Sequence, residues 1–391
     1  MARLRRHVAI AAAFGIASTA MWTPTAIAEQ AVLPGAGAQA VEGSYIVVLK
    51  DGARTPAAAL ASRYQGSVKH TYSTALHGFS VTGMSERQAR RLAADPDVQF
   101  VERNTVATIQ ETQSNPTWGL DRVDQASLPL NQKYTYPNTA SNVTAYVLDT
   151  GIRKSHTDFE GRASDGYDFI DNDAVAQDCQ GHGTHVAGTV AGKTYGVAKK
   201  AKLVAVRVLD CNGSGPWDGI IRGIDWVTQN AKKPAVVNMS LGGSGTNSSL
   251  ENAVRRSIQA GVTYVLAGGN SGQDACNFTP ARTPEAITVG ASDRNDKRSI
   301  WTAGSSNYGK CLDIWAPGSD IVSASHSNDT GTRSMGGTSM ASPHVAGAAA
   351  LYLSANPNAT PAQVRDALVN AATPNKLTDI KTGSPNLLLK V

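Results

Sequence analysis

Ser339 stands in GGTSMASPHVAGAAALYL, residues 336–353, between a Gly-Gly turn and a run that is apolar on every face. Packing there asks only for another small residue. Thr338 or Ser339 is expected to cap the helix, because a short oxygen-bearing side chain accepts from the orphan N–H groups of a first turn. Two candidate caps leave one hydroxyl over. Pro343, within the first two turns, gives the helix a sharp start. A serine at the positive end of a helix dipole sits where a developing oxyanion is stabilised. To act as a nucleophile it needs a base, and the base needs an orienting partner.

The chain has eight histidines. His7 lies in the leader, and His70 and His77 in a small front unit. His156 and His326 fall in polar loops. His344 shares the helix of Ser339 but lies about 140° around its axis, which suits a structural role. His182 and His185 remain, in CQGHGTHVAGTV. Gly181 and Gly183 allow close backbone approach beside His182, whereas His185, one turn on, is expected to be packed and hydrogen-bonded. His182 is the better base. Asp149 ends the apolar run NVTAYVLDTG and Asn270 directly follows VLAGG. A carboxylate at a buried strand end is costly unless paired, although a turn or helix-cap aspartate is the plainer reading of the spacing.

These side chains need a scaffold. NVTAYVLDTG (142–151), KLVAVRVLD (202–210), AVVNMSLGG (235–243) and VTYVLAGG (262–269) read as strands buried on both faces. Ile220, Ile221, Ile224 and Val227 have helical spacing. Ser248 and Glu251 make a capping-box spacing for a helix over 249–260, with Gly261 as its stop. Thr360-Pro361-Ala362-Gln363 starts one more helix. The alternation predicts an α/β fold, a parallel sheet covered by helices on both faces, with a site at the carboxyl ends of its strands.

Ahead of this lie three other stretches. In residues 1–28, Arg3, Arg5 and Arg6 precede an apolar run from Val8 to Ala20, and Ala26-Ile27-Ala28 offers a cleavage site. That is the pattern of a secretory signal peptide. Residues 29–43 are Ala/Gly-rich and expected to be loose. Residues 44–109 read as a small α+β unit: a strand in SYIVVLK, a helix in TPAAALASRYQG and a strand in VQFVERNTVAT. ETQSNPTW, 111–118, is polar and aperiodic, and reads as an exposed, cleavable linker.

Charge and cysteine content narrow the class. The net charge is +5, but residues 111–391 carry 25 Lys/Arg against 24 Asp/Glu. Residues 29–110 carry eight against seven and the leader three Arg with no acid, so no basic patch for nucleic acid is implied. No later segment has 18 uninterrupted apolar residues, and a soluble, exported product is expected. Cys179, Cys211, Cys276 and Cys311 include no C-x-x-C pair, which speaks against zinc. In an exported chain they read as two disulfides, with three connectivities open.

AYVLDTGI, GHGTHVAG, AGGN and GTSMASPHVAG, in this order, resemble the signature blocks of the subtilases, and of the proteinase K-like subgroup with aqualysin-like members in particular. The similarity spans nearly all of 112–391, including TWGLDRVDQ, AVRVLDCNGSG and NYGKCLDIWAPG. It implies a serine endopeptidase of broad, apolar-leaning specificity. Ser339 is then the nucleophile, His182 the base, Asp149 its orienter and Asn270 an oxyanion donor. Gly213, Ser214 and Gly215 would form one backbone edge along an extended polypeptide substrate, and Ser240, Leu241, Gly242 and Gly243 the other. Trp217 would line an outer apolar subsite, while Pro216 and Asp218 depart from the family's pattern.

The same resemblance makes the front unit, within 29–110, a propeptide that chaperones and inhibits its own peptidase domain, 111–391, until cut near 110–112. It implies disulfides Cys179–Cys211 and Cys276–Cys311, structural calcium and a monomer. One calcium set is Asp121, Asp124, Gln125 and Asn131; a second is the carbonyls of Pro284 and Ala286 with the Asp313 carboxylate. IWTAGSSNYG is longer than the family's usual run before that aspartate. Asp168, Asp171, Asp173 and Asp178 read as a solvated acidic loop.

Three rivals are weaker. DTG occurs at 149–151 and 329–331, as in a two-lobed aspartic protease, but the second follows SHSN and reads as a turn. His182 and His185 lack the Glu of H-E-x-x-H needed for a metal pair. A non-catalytic binding protein would have lost a relay residue, and none is replaced.

Overall fold

The computed structural model describes residues 29–33, 40–106 and 111–391. The leader 1–28 and residues 34–39 and 107–110 lie outside them. The described residues divide into two compact units, one running to Thr105 and the other from Val106 on.

The first unit comprises β1 (Ala40–Leu49), α1 (Ala57–Arg63), β2 (Ser67–Tyr72), β3 (Gly78–Thr82), α2 (Glu86–Ala93) and β4 (Val98–Thr105). Its strands make an antiparallel sheet in the order β2-β3-β1-β4. Both helices pack on one core with Val47, Phe79, Val81 and Val101. Ala40–Gly43, expected to be loose, is already strand. The capping box of α2, Ser85 with Gln88, supplies the helix the sequence reading passed over.

The second unit opens with β5 (Glu111–Ser114), α3 (Trp118–Val123), β6 (Lys133–Tyr136), β7 (Thr144–Asp149) and β8 (Ala163–Asp168). Next come α4 (His182–Ala191), β9 (Lys202–Arg207), α5 (Trp217–Asn230), β10 (Ala235–Met239), β11 (Gly243–Ser244), α6 (Ser248–Gln259) and β12 (Thr263–Ala267). After β13 (Phe278–Thr279) and β14 (Ile287–Ser292) a short hairpin follows, β15 (Ile300–Trp301) and β16 (Gly304–Ser305). The chain ends with β17 (Ile314–Pro317), β18 (Ile321–Ala324), β19 (Thr332–Met335), α7 (Thr338–Ala355), α8 (Pro361–Ala371), β20 (Thr373–Pro374) and β21 (Leu387–Leu388).

Nine strands form one sheet, ordered β20-β21-β17-β14-β12-β10-β7-β9-β8. Every neighbouring pair is parallel except β20–β21. Strand periodicity divides the core. Ala145 and Val147 of β7 face α4 and α7, with Val186, Val190, Val345 and Ala346. Tyr146 and Leu148 face α5 and α6, with Ile220, Ile224, Leu250 and Val254. Helices therefore cover both faces, as the continuous apolar strands predict.

Three local expectations are corrected. Glu111–Ser114 is no linker but a strand paired with Lys133–Tyr136, polar because it forms a surface ribbon; Trp118 already starts a helix. The cap of α6 is Asn247, whose side chain accepts from the Leu250 N–H, rather than Ser248. The cap of α7 is Gly337, with no side-chain hydrogen bond, so neither Thr338 nor Ser339 caps it. Thr360 does cap α8, in a full capping box with Gln363.

Candidate active site

β7 carries Asp149 to the carboxyl edge of the sheet and buries it completely. Its two carboxylate oxygens lie 2.8 and 2.9 Å from His182 Nδ1, at the first residue of α4. The approach needs glycine at 183, where a Cβ would stand 2.2 Å from the Gly151 carbonyl oxygen. With Nδ1–H donating to Asp149, Nε2 is left as the basic nitrogen. Burial alone pushes the His182 pKa down, but the Asp149 charge and hydrogen bond more than offset it, and the net shift is upward. His185 and His344 are pushed down to about 4 by burial, with Nε2 of the former on the Ile321 and Arg333 carbonyls and Nδ1 of the latter on that of Met340.

Asp178 anchors this arrangement and was misread as solvated. It is buried and accepts from Gly181 N, Thr184 N and the hydroxyls of Thr150 and Thr184. Its charge sits at the start of α4, where the helix dipole favours an anion. Asp168 is likewise buried, paired with Arg207 at 2.6 Å. Their backbone partners lie two to six residues on, whereas Arg207 and the Thr150 hydroxyl, 39 and 28 residues away, leave no mark in local spacing.

Ser339 lies in the first turn of α7, where its own N–H has no intrahelical acceptor. Its hydroxyl donates to the Ser240 carbonyl at 3.1 Å, while the Ser240 hydroxyl donates to the Ser339 carbonyl at 2.9 Å. Asn270 follows β12, and its Oδ1 accepts from Thr338 N (2.8 Å) and Thr338 Oγ1 (2.9 Å). That pair fixes the amide flip and leaves Nδ2–H for another acceptor. Thr338, read as a cap, instead orients Asn270.

A cleft of about 660 Å³ brings these groups together. His182, Asn270 and Ser339 line it, as do Gly213, Ser214, Gly215, Trp217, Ser240, Leu241, Gly242 and Gly243. Asp149 lies behind it. Pro216 caps α5 and Asp218 lies in its first turn, which accounts locally for two unexpected residues. Asp329 of the second DTG is an exposed turn residue bonded to Arg153 and Ser155, so the aspartic rival has no second carboxylate here.

The two calcium sets behave differently. Asp124 Oδ1 and Gln125 Oε1 are buried with no hydrogen-bond partner among the described residues, and burial raises the Asp124 pKa. Asp121 accepts from Asn131 N and Gln132 N, and Asn131 Oδ1 from Lys133 N. This all-oxygen set fits a hard cation. The second does not. Asp313 is held by Arg365 at 2.6 Å and by Thr288 N at 2.8 Å, so a guanidinium already neutralises the carboxylate expected to join Pro284 and Ala286. Among the described residues no group of three His, Cys, Asp or Glu side chains is placed to hold a metal. The disulfides are Cys179–Cys211 and Cys276–Cys311, each with Cα atoms 5.2 Å apart.

A hydroxyl at a helix start, an imidazole oriented by a buried carboxylate and an amide donor across one cleft define the serine peptidase class of site. The model of the subtilase family matches residues 140–387, and that of the peptidase inhibitor I9 family matches 44–110. The chain belongs to the subtilase family and is a serine proteinase with an I9 segment at its front. It is 49% identical to the extracellular serine proteinase of Thermus sp. (strain Rt41A), over 94% of each chain. It is 47% identical to the alkaline serine exoprotease A of Vibrio alginolyticus, over 83% of this chain and 60% of that protein. A cold-adapted subtilisin-like serine proteinase of known crystal structure is 52% identical, with TM-score 0.68, over 71% of this chain and 98% of that one.

Proposed function

We propose that the chain is a secreted endopeptidase, made as a precursor that cuts off its own front unit. The Asp149–His182 pair, closed at 2.8 Å behind the cleft that Ser339 lines, carries the reading. Ser339 Oγ attacks the scissile carbonyl carbon while its proton passes to His182 Nε2. Asp149 holds the Nδ1–H and steadies the imidazolium. The oxyanion receives the N–H of Ser339 and Nδ2–H of Asn270. His182 then protonates the leaving amine, and water repeats the sequence to free Ser339 from the acyl group. The two backbone edges hold the substrate extended, and Leu209, Trp217, Ile220, Leu241 and Phe278, the apolar part of a mixed lining, favour broad, apolar-leaning cleavage.

Residues 29–110 are the propeptide in this reading, and the I9 match ending at 110 and the strand beginning at Glu111 support a cut between them. Among the described residues no helix is long and apolar enough to cross a membrane. Secretion rests on the pattern of residues 1–28 and on one relative named extracellular.

The test is a pH–rate profile on a peptide anilide. His182 must be neutral to act, so kcat/KM falls as pH drops through a pKa raised above 6.5. His185 and His344, at about 4, leave that limb alone. A maximum near pH 3, abolished by a carboxylate-directed inhibitor, would contradict it.

Asp121, Asp124, Gln125 and Asn131 would hold a calcium ion, the unpartnered Asp124 Oδ1 and Gln125 Oε1 supporting that reading. Bound, it supplies charge neutralisation there and no chemistry at the cleft. Chelation then shortens the thermal half-life and leaves the initial rate at low temperature intact. Immediate loss of activity restored by zinc would overturn this.

A further inference from the structure

An oxyanion donor works only if its N–H is held where the charge develops. Thr338 fixes the amide of Asn270, but the backbone beneath it runs through Gly268 and Gly269, which bring no side-chain packing. The longer run IWTAGSSNYG supplies what is missing. Asn307 is fully buried in it. Its Nδ2 donates to Gly268 O (2.9 Å) and its backbone N–H to Gly269 O (2.8 Å). Its Oδ1 accepts from Ser271 N and Gln273 N, both at 3.0 Å. One side chain thus brackets Asn270 from both sides.

The hairpin β15–β16, just ahead in the same run, closes the bracket. Ser305 N–H donates to Asn270 O at 3.1 Å, and Gly272 N–H to Ser305 O at 2.9 Å. Gly304 has φ +152° and lies so close that a Cβ would stand 2.4 Å from Asn270 O. Trp301 lies against Gly336, where a Cβ would stand 2.6 Å from its Nε1. The hairpin therefore touches the donor's backbone and the turn that leads into Ser339.

We propose that Asn307, with the β15–β16 hairpin, is a positioning residue of this proteinase, acting through Asn270. The proposal rests on Asn270 being the oxyanion donor. Asn307→Asp keeps the acceptor half of the bracket but sets a carboxylate oxygen against Gly268 O. Gly304→Ala presses a methyl group on Asn270 O from the surface hairpin and leaves the core untouched.

The experiment measures kcat and KM of the mature enzyme on a peptide anilide, each variant made alone and combined with Asn270→Ala. Each alone lowers kcat about tenfold, with KM held within about twofold, since a small misplacement of a catalytic group is costly. Neither lowers kcat further once Asn270 is alanine. Should Asn307→Asp fail to fold, Gly304→Ala carries the same comparison. Equal losses in both backgrounds, a loss confined to KM, or an unchanged kcat for Gly304→Ala would overturn the positioning role and leave Asn270 as donor. Asn270→Ala with wild-type kcat would remove the donor reading itself, and the positioning role with it.

Discussion

Ser339→Ala is expected to lose about 10⁶-fold in kcat, the scale known for the nucleophile of subtilisin-type triads. The fold should survive. Gly337, not Ser339, caps α7, so the change removes only the hydrogen bond to the Ser240 carbonyl. A bond of that kind contributes about 1 kcal/mol, and alanine is the best helix former for a first-turn position. The Ser240 hydroxyl still holds the residue-339 carbonyl. Circular dichroism and thermal unfolding of the purified variant check the fold, and a peptide anilide assay, run after an added protease has removed the front unit, checks the rate. A variant that keeps a tenth of the wild-type rate would remove Ser339 from the chemistry.

Asp149→Asn is expected to cost about 10⁴-fold in kcat, again the scale known for such triads. The asparagine fits the same buried space. Its oxygen keeps the hydrogen bond from Thr150 N–H, now 2.8 Å from Asp149 Oδ1. Its NH₂ then faces His182 Nδ1, which must become an acceptor, and the ring proton moves to Nε2. An imidazole protonated at Nε2 cannot take the proton of Ser339. The Coulomb attraction that raises the His182 pKa disappears as well, so burial prevails and the pKa falls. KM should hardly change, because Asp149 lies behind the cleft and lines none of it. A loss confined to KM, or a kcat within tenfold of wild type, would contradict the assigned tautomer.

Much of this was legible because it rests on periodicity and on side chains at element ends. Continuous apolar strands such as TAYVLD and AVVNM demanded helices on both faces, and the sheet has them. Asp149, His182, Asn270 and Ser339 each stand at a strand's carboxyl end or a helix start, where a polar residue interrupts an apolar pattern. Groups that act on backbone atoms far away in sequence left no such mark. Asp178 looked like one acid among several; Gly181 and Thr184 are only three and six residues on, but the Thr150 hydroxyl that ties it to the strand of Asp149 comes from 28 residues back. Asn307 sits in a polar loop whose partners lie 34 to 39 residues away. Asp313 was a plausible ligand until Arg365, 52 residues on, met it. Polar composition also misled at Glu111–Ser114, where a surface ribbon needs no apolar alternation.

The most direct test of the central claim is the intact mass of Ser339→Ala, secreted by a host free of other proteases that process it. If this proteinase cuts its own front unit with Ser339, the variant retains residues 29–110, while the wild type begins near Glu111. The account predicts that uncut, folded precursor. A variant that matures to the wild-type N-terminus without help would contradict it.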